Sequence, residues 1–431
     1  MRSQGGIASA PRGREARALA GRSILSMDAS IGSIVLIPAL AVVAPILSTL
    51  VGRVAKIPLV VFEIILGILI GPSVLGWVAK SDALDMISNF GLAFLFFMAG
   101  NEIDFATIRG RPLGRASLGW LISLIVGIGL GILLAPSPIA GVYVGIALCS
   151  TALGTLMPLL RDAGELKTPF GIAVTAVGAV GEFGPLVAIA LFLSGRTPLS
   201  AALVLAGFVV ITVLGIWLAS RGTHDRFHRL IRATLHTSGQ FAVRFVIAII
   251  AALVGLSLAL GLDMLLGAFA AGVLARVLLS GARPGDAKQI EGKLEAVAFG
   301  FVVPIFFIAT GVNFDLRGLL ADSRSLILLP IFVLMLLIVR GVPGMLAIPP
   351  GSTARDRTAL TLFSATGLPI IVAVTNIGLE QHDITQGTAS ALVGAGMLSV
   401  LLFPAIALAL RQRSSDGGLR PPDEEHVPIV G

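Results

Sequence analysis

The sequence predicts an all-α polytopic membrane protein: about thirteen transmembrane helices, arranged as two inverted six-helix repeats with two broken crossing helices. Three observations lead there. The chain is 56% hydrophobic and only 13% charged, with a mean hydropathy of +0.97, far from the balance of soluble domains. Its apolar runs recur at lengths that cross a hydrocarbon core of roughly 30 Å as helix. Motifs in the first half return in the second, seven spans later.

Composition also excludes function classes. The excess of Lys and Arg (31) over Asp and Glu (24) is a matter of loop placement, so no nucleic-acid partner is expected. The single cysteine, Cys149, stands in an apolar run and rules out an intramolecular disulfide or a Cys-rich metal site. All five histidines (His224, His228, His236, His382 and His426) fall in predicted loops or tails, leaving no imidazole at membrane depth.

Residues 1–30 read as an N-terminal extension, Arg- and Gly-rich, expected to be disordered and lacking the apolar core of a signal peptide. Spans one to six fall at 31–51, 57–76, 84–101, 113–134, 138–160 and 169–193, making membrane repeat 1 over 31–193. Span seven (198–219) and the polar stretch 221–240, expected as an interfacial helix or loop, form a linker over 194–240. Repeat 2 covers 241–410, with spans at 241–260, 262–280, 296–313, 325–348, 357–378 and 386–410. Residues 411–431 read as a disordered tail. One set of loops and the tail carries nineteen basic residues, the other set only Lys80, Arg196, Arg317 and Arg324. The positive-inside rule then places the C-terminus in the cytoplasm, and a bacterial-type inner membrane is the expected location. The five arginines before Met27 break that rule and suggest Met27 as the natural start.

The repeat is carried by three matches. FLFFMAGNEID in span three answers PIFFIATGVNFD in span ten; CSTALGTLMP in span five answers FSATGLP in span twelve; EIILGILIGPSVL in span two faintly answers LLGAFAAGVLARVL in span nine. An offset of seven spans means that partners run in opposite directions, and Gly/Pro-interrupted spans at equivalent places mark the site of a secondary transporter. One interruption contains Ser150, Thr151, Gly154, Thr155 and Pro158, the other Ser364, Thr366, Gly367 and Pro369. Freed carbonyls and hydroxyls there could hold a cation, while hydroxyls bonded back to their own helix would be structural.

Charged residues within spans are few. Glu182 lies near the middle of span six, where a bare charge costs at least ~2.5 kcal/mol, with Gly178, Gly181, Gly184 and Pro185 beside it. Glu63 is the one other acid assigned to a span interior, as a structural or entry-path group. Among the basic residues, Arg244 and Arg276 sit near span ends and could snorkel. Arg340 is deeper and needs a carbonyl or anionic partner, for which Glu182 is one candidate.

Taken together, Gly67, Gly71 and Pro72 in span two, AGNEID after span three, Ser150-Thr151, PIFFIATGV and Arg340 resemble the monovalent cation:proton antiporter-2 family, the Kef- and NapA-type exchangers with an NhaA-like fold. The resemblance implies exchange of Na⁺ or K⁺ for H⁺, with Glu182, Ser150 and Thr151 binding cation and proton in turn. It implies a homodimer in which spans one to three and eight to ten are static and spans four to six and eleven to thirteen move. The chain departs from the family in two places: Gly181 precedes the carboxylate where Asp or Gln is usual, and Gly367-Leu368-Pro369 replaces Gly-Glu-Phe. A lone carboxylate would give one-for-one, electroneutral exchange. No cofactor is expected, and no nucleotide-binding domain in cis. The competing readings are an organic-anion symporter of the same fold, a passive cation channel and, least supported, an intramembrane enzyme, which would want a second acid near Glu182.

Overall fold

A computed structural model describes residues 35–51, 57–221, 240–280 and 284–415. Every regular element among them is helical. Ten helices are long and apolar enough to cross a membrane, and three shorter apolar ones, including Val35–Val51 (α1), bring the apolar segments to thirteen. The expectations for residues 1–30, for Met27 and for most of the polar stretch 221–240 lie outside the described residues.

Repeat 1 continues with α2 (Leu59–Ile70), α3 (Asp82–Glu102), the short α4 (Phe105–Ile108), α5 (Arg111–Leu134), α6 (Pro138–Leu148), α7 (Leu153–Asp162) and α8 (Pro169–Phe192). After α9 (Pro198–Arg221), repeat 2 holds α10 (Phe241–Ala259), α11 (Met264–Ser280), α12 (Pro284–Val297), α13 (Val303–Asn313), α14 (Leu316–Ala321), α15 (Ser323–Met335), α16 (Ala354–Ser364), α17 (Pro369–Glu380) and α18 (Gln386–Ser415). A π-helical turn, Ala298–Val302, joins α12 to α13, and another, Leu336–Gly341, prolongs α15. Sequence signals set the starts: Ser81, Ser137, Thr168 and Asp322 cap α3, α6, α8 and α15 by accepting backbone N–H bonds. Asp322 is held below the usual carboxylate range by the Ser325 hydroxyl and by backbone donors at the start of α15.

The inverted repeat is visible in local geometry. α3 and α13 both stop at an extended residue, Ile103 (ψ 113°) and Phe314 (ψ 122°). An aspartate follows each, and a short helix follows that: Asp104 accepts from Thr107, and Asp315 caps α14. The packing repeats too. α2 crosses α13 and α3 crosses α11, and small residues make both crossings. A Cβ on Gly67 would strike the Ile308 carbonyl, and one on Gly272 would strike that of Phe97.

The helices sort into two packed groups. α2, α3, α10, α11 and α13 form one; α5, α6, α8, α15, α16 and α18 form the other. One boundary differs from the expected tail at Arg411. α18 runs on to Ser415, because the Arg411 guanidinium is anchored by Glu165 at 2.7 Å and Asp356 at 2.6 Å. It also lies 4.3 Å from the Phe170 ring centroid. This contact ties the end of α18 to the starts of α8 and α16.

The Gly272 crossing yields a test. Gly272→Val, which must push α3 and α11 apart, should destabilise the fold by about 1–3 kcal/mol or more. Gly129→Val faces open space and should leave it unchanged. Unfolding midpoints of the two variants in one detergent would separate them.

Candidate functional site

Two helices break at membrane depth, and they break against each other. α6 stops at Leu148, residues 150–152 are non-helical, and α7 resumes at Leu153. α16 stops at Ser364, and α17 restarts at Pro369, a first-turn proline that cannot continue the preceding helix. The freed backbone groups pair across the gap. Thr151 N–H donates to the Gly181 carbonyl of α8 (2.9 Å), and Ala152 N–H to the Thr366 carbonyl (2.8 Å). Gly367 N–H donates to the Ser399 hydroxyl (3.1 Å). Gly367 also lies so close to Ser150 that a side chain there would press on its hydroxyl and carbonyl.

Arg340 completes the crossing. It is fully buried. Its Nε donates to Thr151 Oγ1 (2.8 Å), and its Nη2 to the Val177 carbonyl (2.7 Å). Thr151 Oγ1 passes its own proton to the Ser364 carbonyl (2.6 Å). The expected partner Glu182 is not among these contacts: a backbone carbonyl and a hydroxyl take its place. The guanidinium occupies the space beside Gly181. A Cβ at 181 would meet Arg340 Nη2 and the Thr151 side chain, which gives a steric reason for glycine where the resemblance expects a polar residue.

Glu182, 1% exposed, sits on α8 one residue beyond that contact. Its carboxylate faces the backbone N–H groups of Leu153 and Gly154 at the start of α7, the helix end that favours negative charge. Its Oε2 is buried without a hydrogen-bond partner.

The remaining expected residues divide. Ser364 and Thr366 are buried and bonded back to Leu360 and Leu362 carbonyls. Ser150 bonds back to Ala147 (2.7 Å), and Thr155 to Ala152 (2.9 Å). Their hydroxyls therefore stabilise the breaks. Gly154 is the second N–H facing Glu182. Pro158 does not lie at the break: it is exposed, a turn and a half into α7, where a proline has no N–H to return to Gly154. Glu63 is buried in α2, which packs chiefly on α13. Of the two snorkelling candidates, Arg244 is exposed, whereas Arg276 is partly buried and its Nη1 donates to the Asn101 carbonyl (2.8 Å).

One acid escaped the sequence reading. Glu102, the last residue of α3, lies within electrostatic reach of Glu182, Arg161, Arg276 and Glu295. Glu102 Oε2 and Asn101 Oδ1 are buried without partners, as is Glu182 Oε2. Buried acceptors lacking donors suit a cation or proton better than an anion. The signal lay in AGNEID, but the span boundary at residue 101 put Glu102 just outside.

Comparison with known proteins gives a consistent picture. Residues 39–408 match the family described as sodium/hydrogen exchanger, transmembrane. YjbQ of Bacillus subtilis (strain 168), assigned as a Na(+)/H(+) antiporter, is 26% identical over 419 residues, which cover 93% of this chain and 66% of its own. The Na(+)/H(+)-K(+) antiporter GerN of Bacillus cereus is 25% identical over 357 residues, 80% of this chain and 88% of its own. The chain thus spans just under two thirds of the first relative and most of the second. The structure of the sodium proton antiporter MjNhaP1 from Methanocaldococcus jannaschii shares the fold, with a TM-score of 0.63 over 90% of this chain and 98% of that one, at 16% identity.

The Gly181–Arg340 contact can be tested directly. Gly181→Ala should cost about 1–3 kcal/mol of stability by overpacking. Arg340→Ala should cost about 1.5–3 kcal/mol for each charge-assisted hydrogen bond it removes. The double variant should cost less than the sum, because the second change makes room for the first. Additive costs in a double-mutant cycle would show that the two residues do not touch.

Proposed function

The chain belongs to the sodium/hydrogen exchanger transmembrane family, and we propose that it is a secondary antiporter exchanging a monovalent cation, Na⁺ or K⁺, for H⁺ through Glu182. The observation that carries this reading is one buried carboxylate with an unpartnered oxygen, placed where two broken helices cross. A proton and a cation compete for that oxygen. Either neutralises it, and only the neutralised site crosses the membrane readily, because a bare charge at this depth is costly. The coupling needs no further machinery.

The neighbouring groups have separate roles in this scheme. The N–H groups of Leu153 and Gly154 steady the carboxylate while it exchanges its occupant. Thr151 is a positioning residue: its hydroxyl, held between Arg340 and the Ser364 carbonyl, fixes the crossing. Ser150, whose proton goes to Ala147, offers a lone pair at most. Glu102 brings a second negative charge into reach, which disfavours a state in which both acids are bare. With Gly181 in place of a second acid, one carboxylate carries one charge, and exchange is electroneutral.

Motion of the group holding α5, α6, α8 and α16–α18 against the group holding α2, α3, α11 and α13 would supply alternating access. The second group would also form a homodimer. The chain would lie in a bacterial-type inner membrane with α18 ending in the cytoplasm, in keeping with the asymmetry of its basic loops.

The decisive measurement is cation-driven proton flux into sealed vesicles containing a pH dye, with Na⁺, K⁺ and Li⁺ in turn. Wild type should collapse a preset pH gradient on addition of the transported ion, with no dependence on membrane potential. Glu182→Gln should fall to the level of protein-free vesicles while keeping its folding midpoint. Glu63→Gln should retain flux. Equal flux in wild type and Glu182→Gln would remove this carboxylate from the mechanism.

A further inference from the structure

Beside Glu182 lies a cavity of about 620 Å³. Its walls come from both helix groups and from α9. α5 and α8 contribute Trp120 and Phe183; α9 contributes Phe208 and Thr212; α11 contributes Phe269 and Val273. Phe183 and Phe269 meet across it at 5.2 Å between ring centroids. The volume equals that of about twenty water molecules at ~30 Å³ each, yet an apolar cavity of this kind stays dry and takes apolar guests.

Two features identify the guest. First, the cavity opens sideways. Rim residues Leu121, Val209 and Val213 are 50%, 43% and 55% exposed on apolar transmembrane helices, so the opening faces hydrocarbon and not water. The Thr212 hydroxyl, on a residue 9% exposed, has no hydrogen-bond partner within the chain, leaving one polar atom for an ester or similar acceptor. Second, one end of the cavity is basic. Leu113 and Ser117 line it from the first turns of α5. That helix begins with exposed Arg109, Arg111 and Arg115 around its N-terminus, an arrangement that attracts phosphate.

We propose that this cavity binds one acyl chain of an anionic phospholipid, drawn from the surrounding leaflet with its phosphate at the Arg109–Arg115 end. A lipid chain loses no hydrophobic energy in leaving the bilayer for an apolar pocket, so headgroup charge decides occupancy. The bound chain lies against Phe183, next to the exchanging carboxylate, and wedges α8 against α9 and α11. Lipid composition thereby sets turnover. This last consequence rests on the exchange reading above; the binding itself does not.

Trp120 reports on the cavity. In a Trp77→Phe/Trp217→Phe background it is the one remaining tryptophan, and it is only 7% exposed. The full chain is reconstituted into vesicles containing phosphatidylglycerol brominated on its acyl chains, or brominated phosphatidylcholine at the same mole fraction. Trp120 fluorescence should be quenched, more strongly by the anionic lipid. Thr212→Phe, which fills the cavity, should abolish the quenching; Ala270→Leu, on another wall, should reduce it and guards against a Thr212→Phe variant that fails to fold. Unquenched Trp120, or quenching untouched by both fillers, would overturn the proposal. Equal quenching by the two lipids would overturn the headgroup assignment. Quenching lost as protein density rises would give the cavity to a second copy of the chain. In the flux assay, wild-type turnover should vary with the anionic fraction and that of Thr212→Phe should stay flat. Flat turnover in both would refute the coupling, whereas absent flux with intact quenching would count against the exchange reading alone.

Discussion

The structure depends on how two interrupted helices satisfy their backbone where no water can. At membrane depth an unpaired N–H or C=O costs several kcal/mol, so irregular chain survives there only when protein groups complete it. Here the two gaps complete each other. Thr151 and Ala152 donate across to Gly181 and Thr366, and Arg340 fills the corner between Thr151 and Val177. The π-turn Leu336–Gly341 that carries Arg340 fits the same constraint. Gly341 lies so close to α16 that a side chain there would press on the Thr361 carbonyl and methyl. Four chain segments are thus interlocked by bonds that cannot be broken singly without burying a bare polar group.

That interlock isolates one group from it. The hydroxyls of Ser150, Thr151, Ser364 and Thr366 all hold backbone carbonyls, and Arg340 is held through Nε and Nη2, its Nη1 being buried without a partner. Glu182 has an oxygen left over. A rigid polar frame around one under-satisfied acceptor suits competition between a proton and a cation: the frame holds its shape whichever occupies the carboxylate, and the carboxylate cannot remain bare for long. Arg340 bonds to Thr151 and the Val177 carbonyl and not to the acid, which leaves the acid free to exchange.

Much of this was legible in the sequence, for physical reasons. Spans are legible because bilayer thickness fixes their length, and the breaks because Ser, Thr, Gly and Pro interrupt apolar runs. Glu182 is legible because charge is expensive where it sits. Partnerships are less so. Arg340 needed a partner, but its choice of Thr151 and a carbonyl depends on how α8 and the π-turn cross, which no local pattern encodes. Pro158 reads like a break residue in the string CSTALGTLMP, yet the chain had already resumed helix at Leu153, and an exposed proline in a helix of under three turns is tolerated. Glu102 and Arg411 were misplaced by span boundaries of one residue. Their roles come from neighbours distant in the chain: Arg161, Arg276 and Glu295 for Glu102, and Glu165 and Asp356 for Arg411.

The glycines show where the fold can give. Close backbone approaches through glycine fall within the two helix groups: Gly67 and Gly311 between α2 and α13, Gly100 and Gly272 between α3 and α11, and Gly131 with Gly141 and Gly127 with Gly145 between α5 and α6. Between the groups the contacts are of another kind. A Cβ on Gly154 would meet Leu95 at an ordinary van der Waals distance, 3.7 Å; Phe183 leans on Phe269; and an apolar cavity separates the rest of α8 from α11. Interdigitated backbones resist sliding, because each displacement drives a Cα into a carbonyl. Side-chain contacts at a seam with spare volume can repack through rotamer changes. Relative motion of the two groups, as the exchange reading proposes it, would need that asymmetry, and the carboxylate lies on the α8 side of the seam, one residue from the aromatic pair that spans it.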